Sequence, residues 1–212
     1  AAGGSDADTV VVAVNHDPLI TNGLLAYYPL DGDLTSYGPN ASGGTITGAT
    51  AAPNRDSQAN RAMSLDGVND EMSLSGGPFS GSNVVSVSFW FNLGMDSGLQ
   101  YFLGTNDRAV GFFTNGLNAG LAISIPSTSS TSGAVSLNTW HHIVGTYDGT
   151  NIRVYIDNVE VTPQNHPGDM GLADGPGYVG TSHGTFWTGL VDDLRFYNRI
   201  LTAGERTQLF NE

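Results

Sequence analysis

Short apolar runs recur from Gly23 onward, each broken after a few residues by glycine, asparagine, aspartate or serine. In Val85-Ser86-Val87-Ser88-Phe89-Trp90-Phe91 the odd positions are apolar, whereas 86 and 88 are small and polar. In Ile152-Arg153-Val154-Tyr155-Ile156, residues 152, 154 and 156 share one face. A period of two is the signature of a strand with one buried side, the usual state of antiparallel sheets. The pattern predicts strands at 24–30, 62–66, 71–74, 84–92, 100–105, 109–113, 120–125, 140–147, 152–156, 177–180 and 190–197. Asp66-Gly67, Asn115-Gly116 and Asp148-Gly149 supply the positive-φ residues that tight hairpins need. Many short strands without intervening helices predict an all-β, two-sheet antiparallel jelly-roll sandwich.

One helix interrupts this pattern. Thr202-Ala203-Gly204-Glu205 reads as a capping box, in which the Thr hydroxyl accepts from the N3 amide and Glu205 reaches back. The helix is expected to run to about Phe210, with Leu209 and Phe210 docking on the sandwich. Trp90 and Trp140 are expected in the core, and the Ser-Thr-rich stretch 127–132 as a mobile, solvated loop.

Charge narrows the function classes. Among 212 residues there are 20 acidic side chains and 7 basic ones, all arginine, giving a formal net charge of −13. That balance, without a basic run, argues against binding nucleic acid or anionic lipid through phosphates. No apolar stretch approaches the roughly 20 residues that cross a bilayer, so membrane insertion is not expected. Without cysteine there is no disulfide framework, thiolate zinc site or cysteine nucleophile. Lys-free acidity suits solubility in salty water, where charge repulsion is screened; compositional drift is the competing reading. The chain does not begin with Met and is read as a mature fragment or excised piece. Residues 1–20 contain a β run, Asp8-Thr9-Val10-Val11-Val12-Ala13-Val14-Asn15, ended by His16-Asp17-Pro18. They read as a linker or the last strand of an upstream repeat, or as an edge strand of the main domain at 21–212.

Four segments in order resemble the laminin-G-like, concanavalin A-type jelly roll of bacterial secreted and surface proteins. They are Gly23-Leu24-Leu25-Ala26-Tyr27-Tyr28-Pro29-Leu30-Asp31-Gly32-Asp33, Ala62-Met63-Ser64-Leu65-Asp66-Gly67-Val68-Asn69-Asp70, Trp140-His141-His142-Ile143-Val144-Gly145-Thr146-Tyr147-Asp148-Gly149, and Val191-Asp192-Asp193-Leu194-Arg195-Phe196-Tyr197-Asn198-Arg199-Ile200-Leu201-Thr202. The resemblance covers roughly 23–210. The same sandwich hosts lectins, adhesion modules and glycosidases, so site chemistry must decide among them.

Retaining glycoside hydrolysis needs two carboxyls about 5–5.5 Å apart, which alternate positions of one strand provide. Glutamate occurs only at 71, 160, 205 and 212, so the paired-Glu strand of laminarinase-like relatives is absent. Asp192 and Asp193 are adjacent and are expected on opposite faces of their strand, unable to act on one bond together. His141 and His142 are likewise expected on opposite faces, which disfavours a shared metal. No G-x-S-x-G elbow precedes a helix. A non-catalytic module is therefore expected.

The loop Asp31-Gly32-Asp33-Leu34-Thr35-Ser36 is rich in oxygen donors, and calcium takes six to eight oxygens. The resemblance places the opening loop beside the closing strand. It implies Asp31 and Asp192 as side-chain ligands of a structural calcium, with Ser36 giving a carbonyl and Asp33 contributing through side chain or carbonyl. The competing readings are a solvated Asx turn for 31–33 and, for Asp192, a buried carboxylate paired with Arg195 or Arg199. For ligand binding, aromatic faces and fixed polar groups are sought. Asn106, Asp107, Arg108, His166, His183 and Trp187 are the candidates, Trp187 reading equally as core. The expected role is a calcium-stabilised carbohydrate-binding or adhesion domain, monomeric, within a larger extracellular bacterial protein, its partner a glycan or cell-surface polysaccharide. A structural spacer or protein-interaction domain is the alternative.

Overall fold

The computed structural model describes residues 20–76, 83–105, 110–124, 128–168, 177–182 and 184–212. The first strands are β1 (Leu24–Tyr28), β2 (Gly44–Thr47), β3 (Thr50–Ala52), β4 (Ala62–Asp66) and β5 (Glu71–Leu74). Next come β6 (Val85–Leu93), β7 (Gln100–Thr105), β8 (Val110–Thr114), β9 (Asn118–Ile123) and β10 (Ser129–Ala134). Then follow β11 (Trp140–Tyr147), β12 (Asn151–Ile156), β13 (Val159–Glu160), β14 (Gln164–Asn165) and β15 (Gly177–Val179). The chain closes with β16 (Thr181–Ser182), β17 (Thr185–Phe186), β18 (Thr188–Tyr197) and helix α1 (Ala203–Phe210).

Sheet A has the order β13-β12-β11-β6-β18-β4-β3, with β1 also on β18 and β14 also on β12. Sheet B has the order β10-β9-β8-β7-β15-β5-β2, and β16 with β17 forms a small third ribbon. The expected two-sheet antiparallel sandwich with one short C-terminal helix is what forms.

Alternation along β6 decides which residues lie between the sheets. Phe89 packs edge-on against Phe102 and Phe112, at centroid distances of 5.4 and 5.1 Å, and Phe102 stacks on Trp187 at 4.9 Å. Gly145 of β11 faces this interior, where a Cβ would stand 2.5 Å from the Phe112 ring, so any side chain there would force the sheets apart. The even positions of β6 face outward. There Trp90 is paired across strands with His142 and Asp192, and α1 covers it, Phe210 stacking on the indole at 5.7 Å. Trp90 is buried as expected, though under the helix and not between the sheets, whereas Trp140 is only half-buried on the same outer face, which corrects its core assignment. A second apolar cluster beneath α1 includes Leu24, Val144, Tyr197, Leu201 and Leu209. Ile20 joins it; the rest of the expected N-terminal linker lies outside the described residues.

Two expectations about turns and loops change. Asn115-Gly116 and Asp148-Gly149 do close hairpins between paired strands, β8–β9 and β11–β12. Asp66-Gly67 instead carries the chain from sheet A to sheet B, because β4 pairs with β18 and β3 while β5 pairs with β15 and β2. Much of the stretch read as a solvated loop is strand β10, whose Ser129–Ala134 pairs with β9 along its length.

The capping box of α1 forms as read. The Glu205 amide donates to the Thr202 hydroxyl at 3.3 Å, and the Thr202 amide donates to the Glu205 carboxylate at 2.8 Å. Arg199 grips the same carboxylate through two nitrogens, at 2.6 and 2.8 Å, and this bond with the cap holds the Glu205 pKa down at about 2. A depressed carboxylate stabilises the fold above its unfolded pKa near 4.5, and that contribution is lost as pH falls from there toward 2. Glu205→Ala should therefore cost about 1 kcal/mol at neutral pH. In urea titrations the gap between wild type and variant should close as pH drops through this window, and a pH-independent gap would contradict the assignment.

Candidate functional site

Strand β18 sets the geometry of the site. Its first half pairs with β4, ending at Val191↔Met63, and its second half pairs with β1, starting at Leu194↔Tyr28. Between the two, the register against β6 slips by one residue: Asp192 faces Trp90, yet Arg195 faces Ser88. This is a β-bulge, with Asp193 at φ 54°. The gap left between β1 and β4 is filled by the loop leaving β1 at Pro29 and the loop approaching β4 at 53–61. Together they surround a recess of about 150 Å³ lined by Tyr27, Asp31, Arg55, Arg61, Asp192 and Asp193 among others.

The bulge overturns the expectation that Asp192 and Asp193 diverge. Both carboxylates reach one nitrogen of Arg55, at 2.8 and 3.0 Å, because the positive φ turns the second side chain back to the side of the first. Asp192 pairs with Arg55, neither with Arg195 nor with Arg199. Asp193 also accepts from the Tyr27 hydroxyl at 2.7 Å and lies 3.4 Å from Arg195. Arg55 is itself held over the Trp90 ring at 4.7 Å and donates to the Glu212 carbonyl at 3.1 Å, while Arg195 pairs with the Glu212 carboxylate at 2.7 Å. Asp31 pairs with Arg61 at 2.5 Å.

These carboxylates are not electrostatically equivalent. Burial, with the like charge of Asp193 beside it, pushes Asp192 up to about 8 despite Arg55. Asp193 is also buried, but Arg195 and Arg55 outweigh that and hold it below the ordinary range. Burial and the Asp193 charge push the Tyr27 phenol far up, which keeps it a proton donor. One guanidinium nitrogen lies within hydrogen-bond distance of both carboxyl groups and engages them together.

The four residues expected to bind metal divide. Asp31 and Asp192 share the recess. Asp33 lies in an adjoining hollow of about 120 Å³ that shares Asp31 as a wall, its carboxylate accepting from the Thr35 amide at 2.8 Å in an Asx turn. Ser36 lines neither hollow, and its hydroxyl accepts from the Gly43 amide. Among the described residues no three Asp, Glu or His side chains converge as a metal-binding group. The chemistry of the donors nonetheless suits a hard cation. The recess wall sets four carboxyl groups, of Asp31, Asp56, Asp192 and Asp193, against the guanidiniums of Arg55 and Arg61, and carboxylate oxygens are what such a cation takes.

The six expected ligand contacts are not brought together. Asn106, Asp107, Arg108 and His183 lie outside the described residues. His166 is buried, its ring edge-on to Tyr147 at 5.8 Å, and Trp187 is wholly enclosed in the core, so neither offers a face to a ligand. His141 and His142 do point to opposite sides, and both have structural partners. His141 accepts from the Ser136 amide and donates to Asp157 at 2.7 Å, and His142 bonds the Ser88 hydroxyl at 2.8 Å. Arg55 and Arg61 were missed. The available signal was their spacing in an Asn-, Asp- and Ser-rich loop of a chain with only 7 basic residues.

Residues 66–205 match the family described as the concanavalin A-like lectin/glucanases superfamily. The chain belongs to this superfamily. Among solved structures, it is similar to domain 4 of AbnA, a GH43 extracellular arabinanase from Geobacillus stearothermophilus, solved in complex with arabinotriose. That likeness has a TM-score of 0.71 at 25% identity, over 90% of this chain and 99% of that one. The receptor-binding domain of botulinum neurotoxin type G superposes with a TM-score of 0.68 at 15% identity, over 90% of this chain and 51% of that one. The corresponding domain of the C/D mosaic serotype gives 0.74 at 11%, over 91% and 52%. The superfamily member described here thus spans about half the length of those toxin domains, and at such identities the likeness concerns the fold. No curated protein matches the chain.

Removing Arg55 would leave two largely buried carboxylates with too little positive charge. Arg55→Ala should cost about 3 kcal/mol in urea unfolding, well beyond a surface ion pair. Adding Asp192→Asn should recover more than 1 kcal/mol, since the pair is energetically coupled. Additive costs, or a loss under 0.5 kcal/mol, would mean that the recess is solvated enough not to need Arg55.

Proposed function

We propose that this chain is a non-catalytic carbohydrate-binding module acting within a larger extracellular protein. The observation that carries this reading is the arabinanase domain, which aligns over nearly its full length and holds arabinotriose. Two features of the chain support it. The glutamates at 71, 160 and 205 lie on β5, β13 and α1 and Glu212 lies beyond α1, and the adjacent acids Asp192 and Asp193 are bridged by Arg55. The acidic surface disfavours anionic polymers, which leaves neutral glycans.

Affinity gel electrophoresis against linear arabinan, xylan, laminarin and polygalacturonate tests the reading. At least one neutral polysaccharide should retard the protein and release no reducing sugar on incubation. Unretarded migration in all the neutral gels would favour a spacer or protein-interaction role, and product release would favour an enzyme.

Calcium belongs to the same proposal as a structural ion. Asp31 and Asp192 would hold it, with Asp33 reaching in from the adjoining hollow as Arg55 and Arg61 yield their ion pairs; Ser36, which lines neither hollow, stays outside. The ion would supply positive charge where buried carboxylates outnumber guanidiniums. An ion bound only by the folded state stabilises it by about 2.7 kcal/mol at a hundredfold excess over Kd. For a domain of this size that corresponds to roughly 5–10 °C in Tm. Calcium should raise Tm over EDTA by this order, and Asp192→Ala should abolish the difference. Identical wild-type melting in both conditions would remove calcium from the proposal.

A further inference from the structure

Among the described residues, the exposed large aliphatic side chains are Val68, Met95, Leu99, Leu117, Leu137 and Val159, and all of them stand at one pole of the sandwich. Strand direction defines that pole. β4 and β6 end there while β18 and β11 begin, since Asp66 pairs with Thr188, Leu93 with Gly189 and Asn92 with Trp140. β12 ends there too, so the turns 67–70, 94–99, 115–117, 135–139 and 157–158 leave the sheets together. Backbone contacts tie these turns into one surface. The Asn138 amide donates to the Leu93 carbonyl at 2.8 Å, and the Val135 amide to the Leu117 carbonyl at 2.9 Å. Gly116 lies beside Asp96, whose carboxylate would stand 4.0 Å from a Cβ there. On one flank Thr188 joins the group to the Val68 turn, pairing with Asp66 and accepting from the Gly94 amide. On the other, His141 links the Ser136 amide to Asp157, two residues before Val159.

Turn tips are ordinarily Gly, Asn, Asp, Ser or Pro, so six large aliphatics in them are a departure. The opposite pole, with its turn at 148–150, has no exposed large aliphatic among the described residues. The apolar pole is also acidic. Its five turns contain no arginine. Asp66 is exposed and accepts from the Val68 amide at 2.8 Å, and Asp96 is exposed and accepts from the Gly98 amide at 3.3 Å. Asp157 precedes Val159, its side chain 38% exposed. Each flank of the aliphatic cluster thus carries a carboxylate.

We propose that this pole docks a protein partner whose surface sets apolar anchors among Lys or Arg side chains. Apolar tips at the centre and charged groups at the margin are the arrangement of a protein interface, and the sign of the margin selects a cationic partner. An anionic bilayer would bring phosphates against Asp66, Asp96 and Asp157, with no arginine in the turns to offset them. A second copy of the chain would bring the same carboxylates and a further −13. The surface shares no residue with the recess at β18, and the inference goes beyond the carbohydrate-binding reading without resting on it.

A fluorescent amphipathic peptide of leucine and lysine tests this by anisotropy at low salt. Its controls are a leucine–glutamate peptide of the same pattern and a serine–lysine peptide of the same charge. Wild type should bind the first about tenfold or more tighter than either control, and added salt should weaken that binding. Leu99→Ser, Leu117→Ser and Leu137→Ser together should cost about tenfold or more with the melting transition intact. Met95→Ser with Leu99→Ser, at positions at least half exposed, covers the case that the triple variant fails to fold. Asp66→Asn with Asp96→Asn keeps the acceptors of both turns and should also weaken binding, whereas Asp148→Asn, at the opposite pole, should not. Equal binding of the serine–lysine peptide, or unchanged binding by the leucine variants, overturns the pole as a docking surface. Unchanged binding by the Asp66 and Asp96 variant overturns the cationic partner. Sedimentation of wild type with phosphatidylcholine–phosphatidylserine vesicles overturns the proposal in favour of a membrane, and wild-type dimers lost in the triple variant overturn it in favour of a second copy. Retention of the leucine variants on neutral polysaccharide gels should equal that of wild type; reduced retention would make the pole a glycan surface instead.

Discussion

One extra residue in β18 organises the recess and the elements around it. A bulge in the middle of a central strand would ordinarily expose unpaired backbone, and here it also turns two adjacent aspartates into a poorly solvated space. Burying a carboxylate is costly unless it is paired and hydrogen-bonded. The surroundings are therefore constrained to supply a guanidinium from the 53–61 loop, a phenol from β1 and a second arginine from β18 itself. Because β1 and β4 flank the bulge on the same side of β18, the positions of both strands follow from where pairing stops and resumes.

The same constraint reaches α1. Its capping box and apolar residues dock it over sheet A, but Glu212 beyond its end also touches Arg55 and Arg195. Helix position and recess charge are thus one network, with Trp90 between Phe210 and Arg55 as its apolar contact. Among the described residues the helix lies on the outer face of sheet A, so that sheet carries the network on its outer side as well as the core on its inner one.

What could be read from the residues follows the strength of local signals. β4, β5, β7 and β11 were legible to the residue because apolar alternation and flanking turns agree, and the cap of α1 was legible from four side chains. β2, β3 and β10 were not, since edge strands built of Ser, Thr, Gly and Ala carry too little hydrophobic contrast. The meeting of Asp31 and Asp192 was implied by resemblance to a family, not by spacing. Arg55 and Arg61 carried only the signal of two scarce cations in one polar loop, since nothing periodic marks a loop arginine, and the bulge carried none, because an aspartate at positive φ looks like any other aspartate. Trp187 and His166 misled because residue type alone does not reveal which aromatics the sandwich encloses.

The accounting of cations connects fold to recognition. Of the 7 arginines, Arg55, Arg61, Arg153, Arg195 and Arg199 are all engaged with carboxylates, and Arg206 lies over Tyr155 while donating to the Leu201 carbonyl. Arg108 lies outside the described residues. Positive charge in this molecule is thus committed to holding its own acids, five times over. With −13 overall and the described arginines so committed, an anionic partner would meet net repulsion at this surface. Each of those guanidiniums is thus a part of the fold first: it lets an acidic chain bury or crowd its own carboxylates without leaving them unpaired.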